Sequence, residues 1–350
     1  MFMSPRARPS RSCPGAAALD VTDPMLNASN ILVPVDFSRG SRAALHQARD
    51  LATRTSAQVR CLHVMPPALS YVRDVIFPYA AMGAEELELQ AELRRQAEGR
   101  LRRYLELSEG DKATRPELEV VLGHEELAVG EQLMGRAAEV EVDLVVIGSS
   151  GESGEQPGRH GAVAERILSG STRPVFVART SESARPVRRI AVALDLSPIS
   201  AEVYARALEA ALVYEASLHV LVVAADPRNQ DIGGIVGAAL KVEPGAIQKR
   251  ANRDVRKKLA RIRDEVAVPF PEQDRLKALR KDEHDRVLFG DPAEQLIEDV
   301  VENNIDLLLI GREGYGRTAL PMRVGRTART LLGYAPCHLM VVPPGQPAPQ

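Results

Sequence analysis

The chain has 350 residues, of which 45% are hydrophobic and 26% charged, and its formal net charge is −2. This balance argues against a nucleic-acid binder, which usually carries a strong basic excess. The sequence also lacks the roughly 18-residue apolar run that a membrane helix needs. The three cysteines, Cys13, Cys61 and Cys337, form no CxxC pair and no even framework, so a cytoplasmic location is expected.

The two ends of the chain differ in composition from the rest. Residues 1–27 are rich in Pro, Arg, Ser and Ala and show no apolar periodicity. We predict a disordered tail there, with a targeting or partner-binding arm as the alternative. Residues 345–350 are predicted to be a second disordered end.

Strands and helices are predicted to alternate between residues 28 and 180. The strands are short apolar runs, whereas the helices carry an apolar face. We predict strands over 31–35, 59–64, 118–122, 144–147 and 175–178, and helices over 42–53, 85–107, 125–138 and 162–168.

The second half of the chain repeats the first. ILVPVDFS at 31–38 recurs as IAVALDLS at 190–197, and DLVVIGSSG at 143–151 recurs as DLLLIGREG at 306–314. Matching signatures in the same order indicate duplication of a whole domain. We call residues 28–180 the first copy and 188–344 the second copy, and the polar stretch between them is the predicted linker.

The second copy repeats the same alternation of elements. Apolar strands between helices predict a parallel sheet covered on both faces. We predict strands over 190–194, 218–223, 286–289, 307–310 and 338–342, and helices over 201–214, 246–266, 292–303 and 326–332.

A loop rich in glycine follows the fourth strand of the first copy. It contains Gly148 and Gly151, and after nine more residues Gly161 opens a helix. Glycines let backbone N–H groups approach an anion closely. A helix N-terminus adds unpaired donors and a positive dipole end. The loop therefore indicates a phosphate site, with a plain strand-to-helix connection as the alternative.

Together with PVDFS, LHV, DLVVIGSSG and a strand that begins at Pro174, this loop resembles the universal stress protein family. The resemblance covers about residues 30–179 and 189–343. The family pattern is Gly, two residues, Gly, nine residues, then Gly followed by Ser or Thr, and members that carry it bind ATP. The resemblance implies an α/β fold of two tandem five-stranded parallel sandwich domains, Rossmann-like and suited to adenine nucleotides.

For the first copy, the resemblance implies an ATP site, with Mg²⁺ as an optional companion. Asp36 would lie against the ribose and adenine, and the amides after Gly161 would receive the phosphates. For Asp36, capping of the next turn is the alternative. The implied nucleotide-binding residues are Pro34, Asp36, Val64, Ile147, Gly148, Gly151, Gly161, Ala162 and Val163.

One position in the first copy departs from the family pattern. Ala162 stands where the family has Ser or Thr. This removes a hydroxyl donor that is worth roughly 1 kcal/mol when it contacts an anion. The departure predicts weaker ATP binding, not its loss.

The second copy departs further. Ten residues separate Gly314 from Gly325, and Ala193 replaces the proline. The implied residues of this degenerate site are Asp195, Val220, Gly311, Gly314, Gly325 and Arg326, and the loop has gained Arg312, Arg317, Arg323 and Arg326. One interpretation is a site that has lost ATP and become structural. The other is a site rebuilt to bind phosphates through arginine side chains.

Two further features carry no predicted site. His63 and His219 occupy matching places in the two LHV strands, where a core or rim residue with one hydrogen bond is the expected role. Cys61 and His63 should point the same way along their strand, but a metal site there lacks a nameable further ligand. No metal site is predicted.

The functional prediction is a regulatory stress-response protein that acts through nucleotide-dependent assembly or partner binding. A nucleotide-free scaffold is the alternative. The chain lacks SGGxDS, HxGH and GxxxxGK[ST] motifs, so we expect no enzyme, although slow ATP hydrolysis is compatible with the sequence.

The expected partners are adenine nucleotide and unidentified proteins, with neither nucleic acid nor membrane. The resemblance also implies dimerisation through the last strand of each domain. The predicted strands 175–178 and 338–342 are apolar enough to pair within the chain as a pseudo-dimer. Whether two chains also form a homodimer stays open.

Overall fold

The computed structural model describes residues 29–65, 84–107, 116–123, 127–151, 161–180, 186–224, 244–267, 273–314 and 324–345. The predicted tail 1–27 lies outside these residues, and so does the predicted end 345–350 apart from Gly345. The backbone N–H of Gly345 donates a hydrogen bond of 3.1 Å to Glu202 Oε2.

Strands and helices alternate along the first copy, as predicted. The strands are apolar because both of their faces are covered. The elements are β1 (Asn30–Pro34), α1 (Arg39–Thr55), β2 (Gln58–Met65), α2 (Ala84–Leu107), β3 (Glu117–Leu122), α3 (Val129–Glu139), β4 (Leu144–Gly148), α4 (Ala162–Gly170) and β5 (Val175–Ala178).

Within the described residues, the second copy repeats this order with one added helix. Its elements are β6 (Arg189–Leu194), α5 (Ser200–Tyr214), β7 (Ser217–Ala224), α6 (Pro244–Ala267), α7 (Gln273–Lys281), β8 (His284–Phe289), α8 (Pro292–Glu302), β9 (Leu307–Gly311), α9 (Arg326–Tyr334) and β10 (His338–Val342). None of the helices in the described part of the chain is long and apolar enough to cross a membrane.

Two helix predictions were wrong in detail. The helix predicted over 125–138 begins only at Val129, because the backbone of Ala128 is extended. The N–H of Ala128 donates a 3.3 Å hydrogen bond to the Glu131 side chain, which caps the helix start. Helix α7 was not predicted. Its sequence QDRLKALRK is mostly polar and buries only Leu276, so its apolar periodicity is weak.

All ten described strands form one sheet in the order β3-β2-β1-β4-β5-β10-β9-β6-β7-β8. Neighbours within each copy are parallel, which confirms the predicted fold class. The two copies meet at β5 and β10, which pair antiparallel with Phe176 opposite Met340. The order in which successive strands join the sheet reverses between β1 and β4, and such a switch point is where α/β sheets bind ligands.

Helices cover both faces of the sheet, and each core continues from one copy into the other. One core contains Leu45 of α1 and Tyr204 of α5, both almost fully buried. The opposite core contains Ile167 of α4 and Leu331 of α9. The helices that follow the glycine loops in the two copies therefore lie on the same face of the sheet.

Candidate functional site

A cavity of about 340 Å³ lies at the carboxyl ends of β1 and β4, where the strand order reverses. Small-ligand pockets typically occupy about 300–1,000 Å³, so the size suits a small ligand. All nine residues predicted for the first copy line it: Pro34, Asp36, Val64, Ile147, Gly148, Gly151, Gly161, Ala162 and Val163.

The lining combines apolar side chains with a polar rim. Sequence reasoning did not assign several lining residues to the site, because some lie inside the PVDFS, LHV and DLVVIGSSG segments without a role of their own and the others lie on helices and carry no motif. These are Val35, Ser41, Leu62, His63, Val129, Leu133, Ser150, Ala164 and Ile167. Among the described residues, the lining contains no lysine or arginine, so the described groups that could meet an anion there are backbone amides and hydroxyls.

Asp36 stabilises the turn that leads into α1. Its Oδ1 accepts a 3.0 Å hydrogen bond from the N–H of Ser38, and Ser38 Oγ in turn accepts one from the N–H of Ser41. The alternative role of Asp36, capping of the next turn, is therefore present. Its second oxygen, Oδ2, lies 3.0 Å from where a Cβ at Gly151 would stand, so the same carboxylate also faces the glycine loop.

Gly148 is required by a contact within the protein. A Cβ atom at Gly148 would lie 2.3 Å from the carbonyl carbon of Gly40, and one at Gly40 would lie 1.9 Å from the carbonyl oxygen of Ser150. The first turn of α1 and the loop after β4 thus touch backbone to backbone. This contact alone requires glycine at 148, and the close approach to a ligand that the resemblance implies there stays a prediction.

The N-terminus of α4 forms one wall of the cavity. Gly161 is its N-cap residue and provides no side-chain hydrogen bond, while Ala162 and Val163 are exposed. The first N–H groups of a helix have no partner within the helix. With the positive end of the helix dipole, they make this wall suitable for an anion.

His63 has the structural role expected of it. Its Nδ1 lies 2.7 Å from the carbonyl oxygen of Val35. Cys61 is fully buried, which raises the pKa of its thiol to about 12. His219, whose ring lies 4.9 Å from that of His284, has a pKa lowered by burial. Among the described residues, no group of three or more metal-ligating side chains is present.

The second copy keeps the turn, and a backbone hydrogen bond joins the two described ends of its glycine loop. Asp195 Oδ1 accepts hydrogen bonds from the N–H of Ser197 and from Ser200 Oγ, at 3.0 and 3.1 Å. The N–H of Gly325 donates a 3.0 Å bond to the carbonyl oxygen of Arg312, which ties the helix start to the strand end.

Two other predicted residues of the second copy lie close to its core. Val220 is fully buried in β7. At Gly311, a Cβ would lie 3.5 Å from the side chain of Ile199, which stands where the first copy has Gly40. At Gly314, a Cβ would lie 2.4 Å from Asp195 Oδ2, so this loop, like the first, passes close to the strand-end carboxylate.

The arginines of the second loop do not converge in the described residues. Arg312 is 9% exposed and donates a 2.7 Å hydrogen bond to the carbonyl oxygen of Ser171, in the first copy. The Arg326 side chain is 93% exposed and lies 3.9 Å from Asp291. Arg317 and Arg323 lie outside the described residues. Arg312 and Arg326 thus have separate partners, and the choice between a structural loop and one that binds phosphates through arginines stays a prediction.

A family model for the universal stress protein family matches residues 27–179 and again residues 186–343. The chain therefore belongs to the universal stress protein family, as two tandem domains.

Known structures share the fold over nearly the whole chain. A universal stress protein from Archaeoglobus fulgidus DSM 4304 is 17% identical, with 90% of this chain and 98% of that chain covered and a TM-score of 0.56. A functionally unknown protein from Pseudomonas aeruginosa PAO1 is 14% identical, with 92% and 94% covered and a TM-score of 0.56. At these identities the likeness shows the fold alone.

One curated relative matches a single copy. It is a protein of Staphylococcus haemolyticus (strain JCSC1435) whose name assigns it provisionally as a universal stress protein. It is 26% identical over 158 residues, which cover 45% of this chain and 88% of that protein.

Proposed function

We propose that the first copy binds an adenine nucleotide, ATP, in the cavity at β1 and β4. Occupancy of this site then controls how the protein assembles or which partner it meets in a stress response. The observation that carries the proposal is that all nine residues implied by the ATP-binding pattern line one cavity, next to the uncapped N-terminus of α4.

The lining fits the amphipathic character of a nucleotide. Leu62, Leu133 and Ile167 offer an apolar surface to a base. Asp36 Oδ2 is an acceptor for ribose hydroxyls, and the amides at the start of α4 are donors for phosphate oxygens. Mg²⁺ usually binds one or two carboxylates plus substrate phosphates, and Asp36 supplies the carboxylate among the described lining residues.

The first test is calorimetric titration of the full chain with ATP. Asp36→Asn keeps the Oδ1 acceptor for Ser38 and removes the charge. We expect micromolar binding by wild type and roughly tenfold weaker binding by this variant, since hydrogen bonds to charged groups are worth about 1.5–3 kcal/mol. Asp195→Asn is the matched control, because it makes the same change in the same turn of the second copy.

Wild-type-like binding by Asp36→Asn would place the nucleotide elsewhere. An equal loss in Asp195→Asn would show that the effect comes from the turn and not from the site. Failure of wild type to bind ATP would refute the proposal.

A gain-of-function variant tests the phosphate end. Ala162→Ser restores the hydroxyl of the family pattern at an exposed position, and a hydrogen bond of about 1 kcal/mol makes ATP bind about fivefold more tightly. Arg326→Ser is the control, because it places serine at the equivalent, exposed helix start of the second copy. Equal ATP affinity of Ala162→Ser and wild type would contradict the assigned position of the phosphates.

We also propose that the chain is not an enzyme and that its two copies act as a pseudo-dimer through β5 and β10. Light scattering with and without ATP measures whether further chains join. A specific observation supports the scaffold alternative: the N–H of Gly325, at the start of α9, is already bonded to the carbonyl oxygen of Arg312. Repeated failure to bind nucleotide would favour that alternative, and sustained multiple turnover of ATP would overturn the non-enzyme proposal.

A further inference from the structure

Arg312 occupies a position whose backbone is the same in both copies but whose side chain is not. The N–H of Ser149 donates a 2.9 Å bond to Ala178 in the first copy, and the N–H of Arg312 donates a 2.8 Å bond to Val342 in the second. Ser149 is a small buried residue. At this position the second copy therefore carries a long cationic side chain, whereas the first copy carries only a hydroxyl group.

The guanidinium of Arg312 crosses from the second copy to the carboxyl end of α4 in the first. Its Nη1 lies 2.7 Å from the carbonyl oxygen of Ser171 and 3.4 Å from that of Ser169, and its Nη2 lies 3.4 Å from Glu313. The last carbonyls of a helix have no partner within the helix. They also form the negative end of its dipole, so a buried cation there is favourable.

The opposite end of α4 is the anion-binding wall of the cavity. The helix has nine residues, so its two ends lie about 13 Å apart. A cation at the carboxyl end and an anion at the amino end are both favourable to the same dipole. Because helices move as rigid bodies, a bond that fixes one end also fixes the amides at the other.

We infer that Arg312 is a positioning residue for the nucleotide site of the first copy, an inference that rests on the proposed function. It holds α4 where the amides after Gly161 meet the phosphates. The second glycine loop then has a role without binding nucleotide, since it presents Arg312 across the boundary between the copies.

Arg179 supplies a matched control within the same chain. Its Nη2 donates hydrogen bonds of 2.8 and 2.7 Å to the carbonyl oxygens of Leu331 and Leu332. Arg179 of the first copy thus bonds to the carboxyl end of α9 in the second copy, just as Arg312 of the second copy bonds to the carboxyl end of α4 in the first. The amino end of α9 contributes none of the described residues that line the cavity.

The experiment compares Arg312→Met, Arg312→Lys and Arg179→Met in the full chain. Both methionine variants should lower the free energy of unfolding in the absence of ligand. Only Arg312→Met should weaken ATP in calorimetry, by about three- to tenfold, a size typical of helix-end electrostatics. Arg179→Met should stay within about twofold of wild type, and Arg312→Lys should recover part of the affinity.

Hydrogen exchange provides a readout that a loss of stability alone would not produce. ATP should protect the first-turn amides of α4 in wild type and in Arg179→Met, and less so in Arg312→Met. Wild-type affinity in Arg312→Met would overturn the inference. Equal weakening in Arg179→Met and Arg312→Met would also overturn it, because the loss would then follow general destabilisation.

The same measurement separates failure of the inference from failure of the proposed function. If wild type does not bind ATP, the proposed function is refuted, but exchange in the ligand-free proteins still tests the bond to α4. Faster exchange of the α4 amides in Arg312→Met than in Arg179→Met would support the positioning of α4 by Arg312. Equal exchange would overturn it.

Discussion

His338 makes the boundary between the two copies sensitive to acid. It lies in β10, is 7% exposed, and its ring centroid is 5.4 Å from that of Phe176 across the boundary. The N–H of Arg179 donates a 3.1 Å hydrogen bond to its Nδ1, so the ring is neutral with its proton on Nε2. Burial lowers the pKa of His338 to about 4; Asp306 opposes this shift, whereas Arg179 and His46 add to it.

The size of the effect follows from the difference between the folded and unfolded pKa values. An unfolded histidine titrates near 6.5. Between pH 6.5 and about 4, the unfolded chain binds a proton that the folded chain does not, so stability is lost as the pH falls through this range. The loss is about 2 kcal/mol at pH 5 and about 3 kcal/mol at pH 4.

The assay is urea unfolding of wild type and His338→Gln at pH 7.5 and pH 5, followed by circular dichroism. Glutamine keeps an acceptor for the Arg179 N–H and does not titrate. We expect wild type to lose about 2 kcal/mol more than the variant between the two pH values. Equal losses in the two proteins would refute the reasoning, since the other titrating groups are common to both.

Two further predictions concern backbone contact and thiol burial. Gly148→Ala should lower the free energy of unfolding by about 1–3 kcal/mol, as overpacking does. Gly161→Ala, whose added Cβ meets no described atom within 4 Å, should lower it by less, at most about 1 kcal/mol for a poorer N-cap residue; equal effects in urea unfolding would contradict the assigned contact. In a Cys13→Ser background, Cys61 and Cys337 should react with a thiol reagent only as the protein unfolds, because burial raises both pKa values to about 12. Rapid labelling of the folded protein would disprove this.

The fold and the first site follow closely from sequence because both depend on local signals. Apolar strand runs and the repeated DFS and DLS segments define the element order. That order places the carboxyl ends of the first and fourth strands side by side, so Asp36 and Gly148 meet at one cavity.

The remaining features depend on contacts between distant parts of the chain. The Gly40–Gly148 contact requires knowing how closely α1 approaches the sheet, and the sequence shows only two separate glycines. The loop composition shows that Arg312 is present but not that its target is Ser171, since that depends on how β5 meets β10. Helix α7 was missed because a helix that buries only Leu276 leaves little periodicity.

The antiparallel pairing of β5 with β10 inside one polypeptide has an evolutionary consequence. When two identical chains meet, every substitution appears on both sides of their boundary, so neither side can specialise alone. Here Ser149 and Arg312 are encoded separately and have diverged. A single chain thus maintains two unlike halves at a fixed one-to-one ratio, and a residue on one side of the boundary can change without the same change on the other.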